Sequence, residues 1–473
     1  MPLLGRAREA ADLIEWCRRD EAQFIAIYGR RRVGKTYLVT ETLHNDFAFR
    51  VTGLMHGSMK RQLANFATAL RDCSGEDRPM PSDWFEAFHA LRDHLVSLRR
   101  PGKKIVFLDE MPWLDTPRSE FLTALEGFWN GWASGQHDIV LIVCGSASSW
   151  IVKNLFRNHG GLHNRVTRRM FLTPFNLAQC REFYEAKGIV MSRLDMVEAY
   201  MVLGGVPYYL DLLDRHLSLA QNIGELCFSE NGVLRDEFDN LFASLFKNPG
   251  GYVAVVRALA SKRKGLDRRE IAAASGLADG GGLTRVLDDL ERSGFTRRYR
   301  PFGRKSRGAL YQLMDPFTLF YLAHIENSEP DPGYWPAYMT TSAHAAWAGN
   351  AFERVCLAHV PQIKAKLGIA GVITTASAWR SETSDPGAQI DLVLDRADRV
   401  VNLCEMKYAP REFAITKALD VNLRHKRAAF IEETGTTSAV HLTLVTTFGL
   451  VRNAYWGGVQ SEVTAEDLFA PVP

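Results

Sequence analysis

The residues of this sequence best suited to chemistry form a glycine-rich turn that ends in a lysine and a threonine. The apolar segment 24–28 leads directly into the turn. Glycines let backbone N–H groups surround phosphate oxygens, and the helix that follows points its positive end at the same anion. In this spacing the lysine neutralises the β and γ phosphates, and the threonine holds Mg²⁺. The turn therefore predicts a site for ATP and Mg²⁺ formed by Gly29, Arg30, Arg31, Arg32, Val33, Gly34, Lys35 and Thr36.

The three arginines inside this turn are expected to form a solvated face that also attracts phosphate. A second part of the site is predicted where the apolar run 105–108 ends in Asp109 and Glu110. Asp109 suits the Mg²⁺ shell, and Glu110 suits the base that polarises an attacking water. A buried strand that merely ends in surface acids is the alternative. Together with the glycine-rich turn, the acid pair predicts hydrolysis of ATP as well as binding.

Another chemically active group lies in the last third of the chain. Segments 389–395 and 400–407 have the pattern of two strands joined by a short turn. Residues two apart share a face of a strand, so Glu405 and Lys407 project together, and a hairpin sets Asp391 opposite Cys404 or Glu405. Carboxylates suit a hard divalent cation, and the lysine would position or activate water for attack on a phosphodiester. The alternative is a charged surface hairpin without catalytic function.

The elements that must position these residues follow from the order of apolar and helical patterns. Residues 1–175 alternate helical patterns with short apolar runs, which predicts a parallel sheet covered by helices and an ATPase core. Residues 176–245 have helical periodicity and predict a small helical subdomain. Residues 346–473 form a further α/β unit around the acidic segments. The predicted fold class is α/β with several domains.

Residues 246–315 have the order of a winged helix-turn-helix, and the Pro-rich segment within 316–345 predicts a linker or strap. Residues 261–307 hold 13 Lys/Arg against 6 Asp/Glu. This excess predicts salt-dependent contacts with the backbone of duplex DNA. A module that binds only protein is the alternative. The predicted wing carries its cations at Arg297, Arg298, Arg300, Arg304, Lys305 and Arg307.

With these motifs in place, the first 245 or so residues resemble the archaeal-type ATPase family within the AAA-plus/STAND group. The resemblance implies that Ser146, in a Cys-Gly-Ser-Ala segment, is the sensor-1 residue. It implies that Arg165 reaches the γ-phosphate across a subunit interface of a homo-oligomer. It also implies that the helical subdomain 176–245 is a lid, whose Pro207 contacts nucleotide. The segment ending at Arg6 is similar to the family's N-terminal box near the adenine. Simple packing for Ser146 and a surface cation at Arg165 are the alternatives.

The C-terminal acids resemble the PD-(D/E)xK nuclease core, the restriction-endonuclease-like fold, which in related ATPases follows a winged helix. The resemblance implies that Glu353, on the preceding helix, joins Asp391 and Glu405 at the metal. One departure is that Ile390, not proline, precedes Asp391. A nuclease fold that has lost activity is also compatible with this spacing.

The composition of the 473 residues is that of a globular protein, with 46% hydrophobic and 23% charged residues. The seven cysteines are scattered and never spaced as CxxC, which disfavours a disulfide framework or zinc knuckle and favours a reducing cytosol. No run of 18 apolar residues occurs, so no membrane partner is predicted and a cytoplasmic location is expected.

The leading hypothesis is an ATP-driven enzyme that binds DNA and cleaves it with a divalent metal. The second is a nucleotide-switched regulatory or signalling protein whose nuclease-like domain is inactive and only binds DNA or a partner. The third is an AAA-plus scaffold without either activity.

Overall fold

The computed structural model describes residues 3–146, 148–157, 160–262, 264–303, 308–381 and 383–471. The chain forms two compact units. Unit 1 comprises Met1–Thr173 and Ala243–Lys247, and unit 2 comprises Pro174–Phe242 and Asn248–Pro473. The finer division into five parts stays a prediction. Several residues named above lie outside the described residues: Ala147 of the sensor-like segment, and Arg304, Lys305 and Arg307 of the wing.

Unit 1 is built on a parallel sheet whose strands, among the described residues, have the order β2-β3-β4-β1-β5. This confirms the predicted parallel α/β fold of the N-terminal region. The strands are β1 (Gln23–Tyr28), β2 (Phe49–Thr52), β3 (Lys104–Asp109), β4 (Ile139–Gly145) and β5 (Arg168–Phe171). The helices are α1 (Ala7–Arg18), α2 (Lys35–Thr42), α3 (Met59–Ser74), α4 (Trp84–Ser97), α5 (Met111–Leu114), α6 (Phe121–Gly131) and α7 (Ser148–Ile151).

The central strands of this sheet are buried on both faces. Alternate side chains of β1 enter different cores: Phe24 and Ala26 pack on one face, and Ile25 and Ile27 on the other. A strand covered by helices on both sides needs a continuous apolar run, which is the pattern that β1, β3 and β4 have in the sequence. Since the strands are parallel, their carboxyl ends meet at one edge, where chemically active residues from different strands converge.

The N-terminal part of unit 2 is largely helical and ends in a two-stranded hairpin. The order α13, α14, α15, β6, β7 is that of a winged helix-turn-helix, an assignment that stays a prediction. The elements are α8 (Leu177–Lys187), α9 (Arg193–Leu203), α10 (Pro207–Asp211), α11 (Leu219–Ile223), α12 (Glu237–Leu245), α13 (Gly250–Ala260), α14 (Arg268–Ser275), α15 (Gly281–Arg292), β6 (Thr296–Tyr299) and β7 (Leu310–Leu313).

The segment 316–345 is packed rather than extended. It forms helices α16 (Pro316–Phe320) and α17 (Tyr334–Tyr338), and the side chains of Phe317, Phe320 and Trp335 are buried. Aromatic side chains bury a large apolar area each, so a stretch this rich in them is stabilised by packing despite its prolines. The packing of these side chains agrees better with a strap than with a flexible linker.

The C-terminal part of unit 2 is a mixed sheet with strand order β12-β11-β10-β9-β8. Strands β8, β9 and β10 are antiparallel neighbours, whereas β10, β11 and β12 are parallel. The elements are α18 (Ser342–Ala358), α19 (Val360–Lys366), β8 (Thr374–Arg380), β9 (Gln389–Arg396), β10 (Val400–Lys407), α20 (Lys417–Thr434), β11 (Ala439–Thr446) and β12 (Ser461–Thr464). None of the helices in the described part of the chain has the length and apolar character needed to cross a lipid bilayer.

Gly205 of unit 2 should be intolerant of a side chain. Its φ is +66°, and a Cβ there would lie 2.1 Å from the Phe175 carbonyl oxygen. Gly276 has a similar φ of +72° but nothing within 4 Å of the same position. The left-handed conformation costs about 1–2 kcal/mol for any L-residue, so Gly276→Ala should lower Tm by only a few degrees. Gly205→Ala should lower it at least twice as much in a thermal melt, and equal decreases would contradict the close approach.

Candidate functional site

The glycine-rich turn is shaped by two residues that only glycine suits. Gly29 follows β1 with a φ of +153°, and a Cβ there would lie 2.2 Å from the Leu172 carbonyl oxygen. Gly34 has a φ of +89° and immediately precedes α2. Left-handed backbone at this point lets the chain turn sharply from the strand into the helix. As a result α2 begins at Lys35, with its N-terminus at the carboxyl edge of the sheet.

Lys35 is a buried cation held by the turn itself. Its Nζ donates to the carbonyl oxygens of Gly29 (3.0 Å) and Arg30 (2.9 Å) and to the hydroxyl of Ser146 (3.0 Å). Burial lowers the pKa of Lys35, and the nearby carboxylates of Glu110 and Asp109 oppose that shift. The ammonium is therefore fixed at the start of α2, where a phosphate would sit.

Thr36 and Asp109 form a pair of oxygen groups beside Lys35. The Thr36 hydroxyl lies 3.0 Å from both carboxylate oxygens of Asp109, and the Glu110 backbone N–H donates to the same carboxylate. Burial and the charge of Glu110 raise the pKa of Asp109. Hydroxyl and carboxylate oxygens are the donors that Mg²⁺ prefers, so the residues present here fit that ion.

Glu110 is joined to Lys35 through Ser146, at the end of β4. The Ser146 backbone N–H donates to Glu110 Oε2 (3.0 Å), and its hydroxyl donates to Glu110 Oε1 (2.5 Å). Because β4 lies between β1 and β3, its end comes between the lysine and the glutamate. The structure thus brings together Lys35, Thr36, Asp109, Glu110 and Ser146 as the sequence predicts.

The arginines of the turn differ from the expected solvated face. Arg30 is only 3% exposed, and Arg31 and Arg32 are half-buried. For Arg30 the prediction of a solvated side chain is therefore wrong. The unusual backbone at Gly29 reverses the chain, so the next side chain turns into the domain. Side-chain direction in such a turn depends on φ, which the spacing of residues does not reveal.

A residue whose structural role the sequence did not show is Arg6, before α1. Its guanidinium donates to the carbonyl oxygens of Val33 (3.2 Å) and Thr173 (2.6 Å) and pairs with Glu9. The buried Val33 carbonyl belongs to the glycine-rich turn, so Arg6 fastens the turn from behind. The resemblance implies that this segment lies near the adenine, and that role stays a prediction.

Arg165 and Pro207 are the two remaining residues that the resemblance assigns to the nucleotide. Arg165 is exposed in the turn before β5, and the cluster's hydrogen bonds, among the described residues, do not reach it. Pro207 begins α10 in unit 2. The roles of both residues at the nucleotide stay predictions.

The second acidic cluster lies in unit 2, at the end of β10. Glu405 is buried and accepts from Lys407 Nζ and Lys426 Nζ, each at 2.8 Å. Burial alone would raise the pKa of Glu405, but the two ammonium groups outweigh it and lower the pKa. Lys426, on α20, was missed in the sequence because a helical residue far along the chain gives no local sign of this contact.

Asp391 and Glu353 flank this glutamate. The β9–β10 pairing reaches Leu392 opposite Cys404, so Asp391 and Glu405 are the next positions on their strands. Asp391 accepts a 2.5 Å hydrogen bond from the side-chain amide of Gln389. Burial and the charge of Asp391 raise the pKa of Glu353 on α18 to about 7. The predicted acids are thus electrostatic neighbours.

These acids do not form a ready metal centre. Within the described residues, no three His, Cys, Asp or Glu side chains are grouped so that they could hold a metal ion. Both oxygens of Glu405 are already bonded to lysines. The donor chemistry of Glu353, Asp391 and Glu405 suits a hard cation, but metal binding at these residues stays a prediction.

The hairpin β6–β7 is not a free basic arm. Phe302, just beyond β6, donates its N–H to the Ala378 carbonyl of β8 (2.8 Å), and its ring packs 4.8 Å from that of Phe430. Arg297 is half-buried, with its Nε bonded to Gln312 Oε1 (2.7 Å), whereas Arg298 and Arg300 are exposed. Apolar residues at the tip, which charge counting overlooks, dock the hairpin on the mixed sheet.

Comparison with known proteins assigns the first part of the chain. Residues 3–213 match a family described as an ATPase domain predominantly from Archaea. The match agrees with the glycine-rich turn, the acid pair and the parallel sheet, and it supports ATP binding by this region.

Proteins similar to larger parts of the chain are also found. An uncharacterized protein of Methanocaldococcus jannaschii is 24% identical over 86% of this chain and 87% of its own length. A Walker-type ATPase of Pyrococcus abyssi is 17% identical, with 67% of this chain and 95% of that chain covered and a TM-score of 0.48. The ORC2 protein of Aeropyrum pernix is 15% identical, with 72% and 96% covered and a TM-score of 0.43.

Ser146→Ala should separate nucleotide binding from turnover in the ATPase domain. Removing the hydroxyl breaks the link between Lys35 and Glu110 while leaving both side chains in place. We expect the Kd for ATP to change less than threefold and kcat to fall by roughly 10- to 100-fold, as for loss of one positioned hydrogen bond. The buried Ser148 hydroxyl has no hydrogen-bond partner among the described residues, so Ser148→Ala is the matched control. Equal kcat values for the two variants would contradict a positioning role for Ser146.

Proposed function

We propose that this chain hydrolyses ATP with Mg²⁺. The observation that carries the proposal is the hydrogen-bonded series from Lys35 through Ser146 to Glu110 at the carboxyl edge of the sheet. In this proposal Lys35, at one end of the series, is the phosphate-binding cation, and Glu110, at the other end, is the carboxylate base. Binding alone requires only the cation.

Each residue of the cluster has a distinct role in this proposal. Lys35 binds the β and γ phosphates, and Thr36 and Asp109 would hold Mg²⁺, which would neutralise phosphate charge during hydrolysis. Glu110 orients the attacking water and accepts its proton. Ser146 positions both Lys35 and Glu110. The exposed position of Arg165 suits an arginine offered to a neighbouring copy of the chain in a homo-oligomer.

Glu110→Gln and Lys35→Ala should impair different steps: the first should lose ATP turnover, and the second should lose ATP binding. Glutamine keeps the size of Glu110 but cannot accept a proton, so kcat should fall at least about 100-fold while ATP stays bound. Lys35→Ala removes the phosphate-binding cation and should abolish retention of ATP. The exposed Glu120 allows a matched control, Glu120→Gln, which should keep full activity. Phosphate release and equilibrium binding of labelled ATP measure the two effects, and full turnover by Glu110→Gln would exclude it as the base.

We further propose that unit 2 binds DNA and cleaves its backbone with a divalent metal. The supporting observation is that Asp391 and Glu405 follow the last paired positions of β9 and β10, with Lys407 bonded to Glu405. Asp391, Glu405 and Glu353 supply the oxygen donors that a hard cation requires, and such an ion would activate water and stabilise the leaving oxygen. Lys407 would position the attacking water.

A second candidate is a nucleotide-switched regulatory protein whose unit 2 binds DNA or a partner without cleaving. It is favoured by the two lysines on Glu405, which supply the positive charge that a metal would otherwise provide. It is also favoured by the absence, within the described residues, of a metal-binding group of three side chains. The two candidates differ in a single measurable property, cleavage of DNA.

DNA cleavage should require Mg²⁺ or Mn²⁺ and depend on Asp391. Asp391→Asn and Lys407→Ala should each reduce nicking of supercoiled DNA at least about 100-fold while ATP turnover is unchanged. Asp395, near the other end of the same strand, allows the matched control Asp395→Asn, which should cut normally. Persistence of full-length DNA, both supercoiled and single-stranded, with the unmodified protein under both metals and with ATP present would select the regulatory candidate.

A further inference from the structure

Unit 2 contains a cavity of about 680 Å³ beside Asp391. Its walls come from the loop before α14, from the hairpin β6–β7, and from strands β8 and β9. The polar residues that matter here are Lys264, Arg297, Tyr299, Arg380, Gln389 and Asp391. Docking of Phe302 on Ala378 and Phe430 holds the hairpin over this part of the sheet and so forms one side of the cavity.

Three cations line this cavity beside Asp391: Arg297 is held in place, whereas Lys264 and Arg380 are exposed. Arg297 is held by Gln312, and its guanidinium carbon lies 4.7 Å from the centre of the Tyr299 ring. The Tyr299 hydroxyl in turn donates to the Lys264 carbonyl. Burial and repulsion from Arg354 lower the pKa of Arg297 to about 10, and burial and repulsion from Arg380 lower the pKa of Lys264. Like charges held this closely are stabilised by an anion.

The acids at the cavity do not neutralise these cations fully. Asp267 and Glu270 also line it and cap α14: Asp267 accepts from the N–H of Glu270, and Glu270 accepts from the N–H of Asp267. Asp391 accepts from Gln389. With Lys262, the lining of the cavity therefore holds four cations against three carboxylates, of which Asp391 is the one predicted to act on phosphodiesters.

The size of the cavity limits what can enter. Its volume lies within the roughly 300–1,000 Å³ typical of small-molecule sites. Double-stranded DNA, with a major groove alone about 12 Å wide, does not fit under the hairpin. One nucleotide of an unpaired strand does, and the apolar side chains of Leu266, Pro301 and Leu310 line the same space.

We propose that this cavity binds one nucleotide of a single DNA strand, with its phosphate on Arg297, Lys264 and Arg380 and its base against the apolar wall. The proposal rests on the proposed DNA function of unit 2 and narrows its substrate to unpaired strands and frayed ends. A phosphate held on these cations lies beside Asp391, so the strand is presented to the carboxylate and the intact duplex is excluded.

The chain offers a control with the same charge. Arg297 and Arg298 are consecutive in β6, so they project from opposite faces of the hairpin. Arg298 is exposed, and its guanidinium carbon lies 5.7 Å from the centre of the Tyr311 ring. If DNA is held only by general electrostatic attraction, loss of either arginine should weaken the affinity for DNA equally. If the cavity binds the strand, only loss of Arg297 should weaken it.

The test is fluorescence anisotropy of labelled oligothymidylate and of a blunt duplex of equal length, using the full chain with EDTA to prevent cleavage. We expect the single strand to bind more tightly than the duplex. Arg297→Gln and Arg380→Gln should each weaken single-strand binding about tenfold or more, as expected for loss of a hydrogen bond to a charged group, and Arg298→Gln less than threefold. If Arg297→Gln lowers the Tm, its loss of binding could come from a damaged fold. Arg380 is exposed, so the affinity of Arg380→Gln for the single strand then tests the cavity.

Equal losses in the three arginine variants, or equal affinity for duplex and single strand, overturn the inference. Displacement of the oligonucleotide by free dTMP at the same concentration of nucleotide units would assign the cavity to mononucleotides and overturn the strand assignment. Binding is measured without metal, so a failure to cleave DNA leaves this result intact. Conversely, metal-dependent cleavage that is insensitive to Arg297→Gln and Arg380→Gln would preserve the proposed function and remove this inference.

Discussion

The buried ammonium of Lys35 is the constraint on which the candidate ATP site depends. Removing a charge from water costs several kcal/mol unless hydrogen bonds and opposite charges compensate for it. Here the compensation comes from two carbonyl groups of the glycine-rich turn, from Ser146, and from the field of Asp109 and Glu110. The turn can aim its carbonyls inward only because Gly29 adopts a backbone that a Cβ would obstruct. The order of strands then brings the carboxylates close enough to help.

In the acidic cluster of unit 2 the buried charge is an anion, and cations compensate for its removal from water. Glu405 is buried, and two lysines from different elements keep its pKa low. In unit 1 the buried cation has backbone acceptors that a phosphate can readily supplement. In unit 2 the buried anion is already neutralised by side chains, so a metal ion has to compete with them. This difference explains why ATP hydrolysis is the more strongly supported of the two proposed activities.

Much of unit 1 could be predicted because its signals are local. Strand β1, the turn and the start of α2 are contiguous, and the run ending at Asp109 has the continuous apolar character of a strand buried on both faces. The burial of Arg30 could not be predicted, since the direction of a side chain in a tight turn depends on backbone angles. The contacts of Arg6 with Val33 and of Lys426 with Glu405 join residues far apart in sequence. Spacing along one chain carries no information about such pairs.

The hairpin β6–β7 shows why a count of charges is a poor guide to a binding surface. A basic segment in the sequence suggests a solvent-facing arm, and its arginines look equivalent. In the fold, alternation along β6 separates Arg297 from Arg298, and the apolar tip at Phe302 decides which face is covered. Arg297 on the covered face lines the same cavity as Asp391, so solvent screens its charge less than that of an arginine at the surface. Two consecutive arginines of one strand therefore have different environments, one inside the cavity and one at the surface. The packing of the tip determines which of them can hold a phosphate beside the predicted catalytic carboxylate.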